Sequence, residues 1–253
     1  MSNFDTIGQQ LITLSRSLGE PSRDLAILGE GNTSAKLDDD LFLVKASGYN
    51  LASLDEEGLI TVRYSKLKGA LDGEPVGDAR TREILLNARE VQEGSKMPSV
   101  ETYLHGFLLS LPDIMFVGHT HPTAVNALSC SVNAQNAFSG MLFPDEIVSC
   151  GVAVCYVEYT DPGIVLAQYL RRKVLEFVDR YDAPPRVIVM QNHGLIATGK
   201  TPTEVENATI MFVKACRVRL GTYAAGGPHF LPLEHVNRIH TRPDEHYRKR
   251  LIG

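Results

Sequence analysis

Apolar residues near the start of the chain recur at steps of three and four, a spacing that places them on one face of an α-helix. The pattern predicts a helix over residues 3–18, ended by Gly19 and Pro21. The same periodicity predicts helices over 78–91, over 100–111 with Ser99 as its cap, from Pro122 onward, over 163–180 and over 202–221. Thr201 is expected to cap the last of these, because its hydroxyl can accept a backbone N–H of the first turn.

Short apolar runs between these helices predict β-strands. They cover residues 25–28, 33–37, 41–46, 59–63, 114–119, 152–157, 186–190 and 195–197. Several early strands follow one another before helices intervene. This order favours an α/β fold with a mixed, partly antiparallel sheet and helices on its faces over a doubly wound parallel fold.

The domain organisation is predicted to be simple, since even the longest connections contain apolar residues and none has the composition of an interdomain linker. We predict one folded domain over residues 1–225. From residue 226 the chain becomes polar and rich in Pro and Arg. Residues 226–253 are expected to form a partly helical extension that packs on the same domain or on a neighbouring subunit.

Composition narrows the range of partners. The 253 residues include 25 Lys and Arg against 30 Asp and Glu, a net charge of −5 that argues against electrostatic binding of nucleic acid. The first residues lack the basic and apolar regions of a secretion signal, and no apolar run approaches the roughly 20 residues that span a bilayer. We therefore expect a cytoplasmic protein without a membrane partner, whose four cysteines are reduced and buried.

Histidines at the ends of predicted strands are the first candidates for chemistry. His119 and His121 lie two residues apart in an extended segment, so both rings point to the same face. A catalytic zinc ion needs a third protein ligand. His193 is the natural candidate, because it follows an apolar strand and precedes Gly194, which permits close backbone approach. Surface or hydrogen-bonded histidines are the alternative to a metal site.

Other polar positions have simpler interpretations. Glu101 stands in the first turn of a predicted helix, where a carboxylate complements the helix dipole. His105 follows it by four residues and is expected to serve a structural or hydrogen-bonding role. The Gly29–Ser34 turn could present backbone N–H groups to an anion but lacks the glycine and lysine pattern of a nucleotide site. The remaining histidines are expected to be solvated, namely His229, His235, His240 and His246.

Five short motifs, in this order along the chain, resemble the class II aldolase/adducin family of sugar-phosphate aldolases. They are Gly31-Asn32-Thr33-Ser34, Ala46-Ser47-Gly48, Pro98-Ser99-Val100-Glu101, His119-Thr120-His121-Pro122 and Asn192-His193-Gly194-Leu195. The resemblance spans residues 5–222. The stretches 44–48 and 159–163 look most like the aldolase part of two-domain rhamnulose-phosphate aldolase/dehydrogenase proteins, and the set as a whole is also similar to fuculose-phosphate aldolase.

The resemblance implies a single-domain α/β/α sandwich with a mixed, largely antiparallel central sheet. It also implies a homotetramer with a Zn²⁺ ion, one per subunit, near a subunit boundary. Carried over by position, the metal ligands would be His119, His121 and His193, and Glu101 would be the catalytic acid/base. The substrate phosphate would be held by Asn32, Ser47, Gly48 and Ser99.

The implied reaction explains these residue types. Cleavage of a carbon–carbon bond beside a ketone leaves an enediolate, whose charge a zinc Lewis acid stabilises. The expected function is therefore a zinc-dependent class II aldolase acting on a ketose, such as fuculose or rhamnulose 1-phosphate, with Glu101 moving the proton. We expect partial burial to raise the pKa of Glu101. Cobalt, nickel or manganese could replace zinc at imidazole ligands.

Two departures from the family pattern affect the substrate site. Val100 stands where fuculose-phosphate aldolases carry a second serine. Lys45 could restore a positive charge for an anionic substrate, although a lysine near a strand end is expected to be solvated. The family's second proton donor, a tyrosine lent across the subunit boundary, has no match; the candidates to replace it are Asp145, Glu146, Tyr156 and Tyr159.

Other functions share this scaffold. A sugar-phosphate 4-epimerase, a decarboxylase and a dehydratase would need the same metal site and differ in acid/base residues. A non-catalytic, adducin-like interaction module would not need the histidines. The presence of all three histidines together with Glu101 favours an enzyme, an aldehyde-lyase, over the interaction module.

Overall fold

A computed structural model of the chain describes residues 3–92, 94 and 96–244. Its strands are β1 (Asn32–Lys36), β2 (Leu41–Lys45), β3 (Leu59–Arg63), β4 (Phe116–Thr120), β5 (Cys155–Val157), β6 (Val187–Met190) and β7 (Gly194–Gly199). Its helices are α1 (Asn3–Leu18), α2 (Tyr64–Asp72), α3 (Asp78–Asn87), α4 (Thr102–Leu109), α5 (Thr123–Ser129), α6 (Ala134–Ala137), α7 (Pro144–Cys150), α8 (Ile164–Tyr181), α9 (Pro202–Ala224) and α10 (Leu233–Thr241).

The seven strands form one sheet in the order β3-β2-β1-β4-β7-β6-β5. Every neighbouring pair is antiparallel except β5 and β6, which are parallel. The prediction of a mixed, largely antiparallel sheet is confirmed. The order also brings β1, from the N-terminal part of the chain, directly against β4.

Helices cover both faces of the sheet, because successive side chains of each strand point to opposite faces. In β2, Val44 packs with Leu104 of α4 and Leu170 of α8 in one buried cluster. The intervening Leu43 packs with Phe212 of α9 in a second cluster on the other face. The two clusters are the two hydrophobic layers of an α/β/α sandwich, as the resemblance implies.

Local sequence signals account for most of these elements. The apolar stripe of α1 is buried at Leu11, Leu14 and Leu18. The hydroxyl of Thr201 accepts the backbone N–H of Glu204 at 3.1 Å, so the predicted cap of α9 is confirmed. Within the described ranges no helix is long and apolar enough to cross a bilayer.

One predicted strand is wrong, and helices α2, α6 and α7 were not predicted. Residues 25–28 form a loop rather than a strand, and the backbone carbonyl of Leu25 accepts the N–H of His121 at 2.8 Å. Leu28 has a left-handed φ of 53°, which is incompatible with a strand, and is 80% exposed. Helix α2 was missed, although Leu67 and Leu71 are buried at the four-residue spacing of a helix.

The C-terminal extension contributes α10, whose Val236 is 3% exposed and lies in the same buried cluster as Phe212. His229 and His235 are exposed, as expected, whereas His240 is only partly exposed. His246 lies outside the described residues. A cavity of about 680 Å³ lies between α10 and the C-terminal ends of α8 and β7, whereas the histidine motif lies at the opposite end of β7.

Candidate metal centre

Three histidines meet at one end of the sheet. His119 lies in β4, His121 follows the end of that strand, and His193 lies in the short connection between β6 and β7. One ligand atom from each side chain lies within 4.8 Å of the other two. The ring centroids are 4.7, 5.0 and 5.2 Å apart, and the rings meet at steep angles. The structure therefore brings the three sequence-predicted ligands together.

Backbone geometry makes this approach feasible. Strand β7 pairs with β4 so that His119 lies opposite Ile196, and the connection before β7 passes next to β4. A Cβ at Gly194 would lie 2.6 Å from the Thr120 carbonyl oxygen and 2.7 Å from a ring carbon of His121. Only glycine fits there without movement. Asn192 enters the turn with a φ of 54°, a conformation that asparagine tolerates better than most residues.

Hydrogen bonds orient the rings. His119 is fully buried, and its Nδ1 lies 2.9 Å from the Leu195 carbonyl oxygen, so Nδ1 is the donor and Nε2 is left for other ligands. The Nε2 atoms of His119 and His121 lie 3.0 Å apart. On its other side, His121 places Nδ1 at 3.7 Å from the Glu30 carboxylate. A backbone carbonyl and a carboxylate behind imidazoles are typical outer partners of metal-binding histidines.

The donor set fits zinc. Three imidazole nitrogens that converge on one point match the ligand type and number of a catalytic zinc site, in which one position stays open for water or substrate. Burial and the neighbouring charge of His119 lower the pKa of His121 to about 3. The neutral imidazole is the form that binds a metal.

Glu101 lies beside the histidines. Its Oε1 is 2.9 Å from Nε2 of His193 and 3.4 Å from Nε2 of His119. Burial opposes ionisation of the carboxyl, but the charge and hydrogen bonds of the two imidazoles outweigh it and hold the pKa of Glu101 well below its usual range. The expectation of a raised pKa is therefore wrong for this arrangement, because the sequence did not show that both rings contact the carboxylate.

The second oxygen of Glu101 has its own partner. Nδ2 of Asn32 donates a hydrogen bond to Oε2 of Glu101, and Oδ1 of Asn32 is bonded to Nε2 of His105. On the other side of its ring, His105 lies 2.6 Å from the Ser34 hydroxyl. The hydrogen-bonding role expected for His105 is thus confirmed. Ser34 was not singled out from the sequence beyond its place in the first motif.

Two further predicted positions lie on adjacent segments. Residues Ala46 and Pro98 form an isolated β-bridge, and the backbone N–H of Ser47 donates to the Met97 carbonyl at 2.9 Å. Ser99 follows at once, and its hydroxyl accepts the N–H of Glu101 at 3.3 Å. The structure therefore joins the second motif to the segment that carries the candidate acid/base.

Gly48 and Val100 lie in the same two segments, which carry the second and third motifs. Gly48 has a φ of 84°, which favours glycine, and open space where a side chain would project. Val100 is 43% exposed. A ligand could approach the backbone at Gly48 without meeting a side chain of that residue.

Lys45 and Glu146 differ from expectation. Lys45 is only 3% exposed, so the expectation of a solvated lysine is wrong. Its ammonium group donates to the Tyr49 carbonyl at 2.6 Å, and burial lowers its pKa, while the Glu101 carboxylate opposes that shift. Glu146 is fully buried and bonded to Arg219 at 2.6 Å, within the cluster on the other face of the sheet. It is therefore unsuited to donate a proton at the histidines.

The other candidates for a second proton donor lie elsewhere. Tyr156 is half-buried in β5 and stacks on Phe138 with 6.1 Å between ring centroids. Tyr159 is 53% exposed, and its backbone N–H donates to the side chain of Gln191, two residues before His193. Asp145 lies in the first turn of α7 with Glu146.

Glu30 is a site residue that sequence reasoning missed. It lies in the turn before β1 and its carboxylate accepts the backbone N–H of Ile27 at 3.0 Å while facing His121. The signal was the Gly29-Glu30-Gly31 turn immediately before Asn32. At Gly31 the φ is 69°, and a Cβ would lie 2.5 Å from the His119 carbonyl oxygen, which shows how tightly this turn approaches β4.

Comparisons with known proteins agree with this architecture. The family described as Class II Aldolase and Adducin N-terminal domain matches residues 9–220. Among curated proteins, the chain is 24% identical over 214 residues to the uncharacterized oxidoreductase YuxG of Bacillus subtilis (strain 168), a match that covers 81% of this chain and 28% of that protein. The chain therefore spans less than a third of the length of that relative.

Solved structures show the same fold. The N-terminal class II aldolase domain of a conserved protein from Thermoplasma acidophilum superposes with a TM-score of 0.68 and 25% identity, over 87% of this chain and 96% of that one. An L-fuculose-1-phosphate aldolase from Thermus thermophilus superposes with a TM-score of 0.60 and 16% identity, over 89% of this chain and 100% of that one. The latter likeness concerns the fold alone.

Proposed function

Because the chain belongs to the class II aldolase/adducin family, we propose that it is a zinc-dependent aldolase that cleaves or forms a carbon–carbon bond in a ketose. The proposed substrate class is a ketose 1-phosphate, such as fuculose or rhamnulose 1-phosphate. The observation that carries the proposal is the position of Glu101, whose carboxylate lies within 3.4 Å of two of the three clustered histidines.

His119, His121 and His193 would hold the zinc ion. When bound, zinc would act as a Lewis acid that stabilises negative charge on neighbouring substrate oxygens. The rings are already oriented for this role, because the Leu195 carbonyl holds Nδ1 of His119 and leaves its Nε2 toward the other histidines.

Glu101 would move the proton. In synthesis its carboxylate, the form that its lowered pKa favours, would remove a proton from the donor-fragment carbon. In cleavage it would pass to the same carbon the proton that the substrate hydroxyl releases as the carbon–carbon bond breaks. Its side chain is 13% exposed, so it is reachable from solvent but mostly shielded. Such shielding strengthens its interactions with neighbouring charges.

The substrate's anionic end would lie against the joined segments that carry Ser47, Gly48 and Ser99. Two hydroxyl groups and the accessible backbone at Gly48 are suited to a phosphate. Asn32 is assigned to the same site, because its amide contacts Glu101. Val100 supplies no hydroxyl there, so this protein is expected to depend less on a substrate phosphate than a relative with two serines.

We also propose a homotetramer with the site near a subunit boundary. Support comes from exposed apolar side chains next to the centre, since Ile27 and Leu28 are 61% and 80% exposed in the loop that contacts His121 through Leu25. Light scattering coupled to size-exclusion chromatography should give a mass of about four chains. A monomeric mass would contradict this part of the proposal.

Metal content and substrate cleavage test the function together. Protein purified without chelator is analysed by mass spectrometry for zinc and assayed on a panel of ketose 1-phosphates and their unphosphorylated sugars. We expect zinc near one per chain and a dihydroxyacetone-type product in wild type, and loss of both in His121→Ala. His235→Ala is the matched control, since that histidine is exposed on α10.

Each other result separates the alternatives. Zinc without cleavage, but with epimerised, decarboxylated or dehydrated product, would assign one of those reactions to the site. No zinc in wild type and no turnover would favour the adducin-like module.

Glu101→Gln tests the acid/base separately. We expect bound zinc to be retained and kcat to fall by about 10²–10⁴-fold, the usual contribution of a general acid or base. Retained turnover would remove Glu101 from the proposed role.

A further inference from the structure

A fully buried histidine lies one helical turn from the candidate acid/base. His105 of α4 has no exposed surface, and its two ring nitrogens meet two different residues of β1. Nδ1 lies 2.6 Å from the Ser34 hydroxyl, and Nε2 is bonded to Oδ1 of Asn32. Both partners come from β1, where residues 32 and 34 point to the same face.

The chemistry of these atoms determines the direction of each hydrogen bond. Burial lowers the pKa of His105 to about 3, so the ring is neutral and carries one N–H. Oδ1 of Asn32 can only accept, so Nε2 of His105 carries the proton and Nδ1 accepts from the Ser34 hydroxyl. The amide N–H₂ of Asn32 is then turned toward Oε2 of Glu101. The reversed amide would place its oxygen against a carboxylate oxygen.

We propose that His105 is a positioning residue, which, held by Ser34, orients the Asn32 amide so that Asn32 holds the Glu101 carboxylate beside the three histidines. This inference rests on the proposed function, because it assigns an orienting partner to the acid/base named there. His105 is fully buried, and its ring nitrogens are bonded to Ser34 and Asn32, so it acts through Asn32. Oε2 of Glu101 is thereby held by the Asn32 amide, while Oε1 lies 2.9 Å from Nε2 of His193.

Strand β1 provides a matched control on its other face. There the hydroxyls of Ser15 and Thr33 are bonded at 2.6 Å, and both residues are fully buried. This pair resembles the Ser34–His105 contact in burial and length but has no link to Glu101 in the described part of the chain. Ser15→Ala therefore removes a comparable buried hydrogen bond and leaves the contacts of His105 with Ser34 and Asn32 in place.

The kinetic test compares two replacements of His105. Leucine removes both ring nitrogens, whereas glutamine keeps an N–H donor at about the reach of Nε2. We expect His105→Leu to lower kcat by about 10–100-fold, the scale of an ångström-size misplacement. Bound zinc should stay within about twofold, because His105 is bonded to Asn32 and Ser34 and not to the three histidines of the metal centre. His105→Gln should recover most of kcat, and Ser15→Ala should leave it unchanged.

A purely structural role predicts a different outcome. His105→Leu and Ser15→Ala would then lose stability alike, while kcat per folded, zinc-loaded enzyme would stay at the wild-type value in both. That result, or a failure of glutamine to recover more activity than leucine, would overturn the proposal.

A spectroscopic test does not depend on turnover. Nitrogen-15 NMR of the wild-type protein at pH 7 should show His105 neutral, with the proton on Nε2 and Nδ1 unprotonated. Protonation of Nδ1, or of both nitrogens, would overturn the proposal because Asn32 would then face a different set of donors. If wild type cleaves no ketose on the panel, the proposed function fails. The orientation of Asn32 by His105 is then tested by the protonation state of the His105 ring alone.

Discussion

The most exacting prediction concerns Gly194, the residue that lets the third histidine approach the other two. In Gly194→Ala the new Cβ would lie 2.6 Å from the Thr120 carbonyl oxygen. This is 0.8 Å less than the 3.4 Å at which ordinary contact begins. The obstacle is backbone of the central strand β4, which cannot rotate away as a flexible side chain could. The turn that carries His193 must therefore move.

The size of the effect follows from that displacement. A shift of most of an ångström at one ligand, with the new methyl group also 2.7 Å from a ring carbon of His121 and 3.3 Å from one of His119, disturbs all three rings. Changes around metal ligands typically cost about 10–100-fold in metal affinity. Overpacking of this kind also costs about 1–3 kcal/mol in the free energy of unfolding.

Two measurements check this prediction. Zinc affinity is measured by competition with a chromophoric chelator, and the free energy of unfolding of the zinc-free protein by urea titration. Gly221→Ala is the control, because Gly221 lies in α9 with no atom within 4 Å of the new Cβ. Alanine in an open helix position should stabilise the protein by about 0.5–1 kcal/mol and leave zinc affinity unchanged.

The reasoning would be refuted if Gly194→Ala behaved like Gly221→Ala. Wild-type zinc affinity together with raised stability would mean that the connection before β7 can move freely relative to β4. The three histidines would then not need the close approach of Gly194 to β4 in order to come together.

Three further predictions concern the rest of the molecule. Cys130 is exposed, so the expectation that all four cysteines are buried is wrong for it. It should react with a thiol reagent within minutes and the three buried cysteines only after unfolding, since burial raises the pKa of Cys155 to about 12. Two fast thiols would contradict this. Thr201→Ala should lower the free energy of unfolding by about 1 kcal/mol in urea titration, through loss of the α9 cap. Arg219→Leu should cost about 3–5 kcal/mol in the same assay, because it leaves Glu146 buried without its partner; a loss below about 1 kcal/mol would count against it.

Elements with a strong local pattern could be predicted from the sequence. The period of α1, the Thr201 cap of α9 and the apolar run of β4 each depend on residues close together in the chain. The prediction of a strand at 25–28 was wrong because an apolar run does not reveal whether a neighbouring strand is available to pair with it. In the structure both sides of β4 are taken by β1 and β7, and the backbone of Leu25 bonds to His121 just beyond the end of β4.

Two polar side chains also differ from prediction. Lys45 was expected in solvent because lysine usually is, yet it is buried with main-chain carbonyls as partners. The pKa of Glu101 was expected to rise because burial alone raises it. It falls because two imidazoles contact the carboxylate, one from β4 and one from the β6–β7 connection. In both cases the deciding groups are ones whose proximity no local pattern indicates.

The sequence by itself determined the residue types of the candidate site and indicated that His119 and His121 point to the same face, since the two-residue period of an extended segment is a local property. It also indicated the family, through motifs in a constant order. Only the tertiary structure decided what these residues contact. The antiparallel register places Asn32 opposite His119, and the β6–β7 connection brings His193 to within 2.9 Å of Glu101. Such contacts join residues that lie far apart in the chain, and the pairing of distant strands in one sheet sets them.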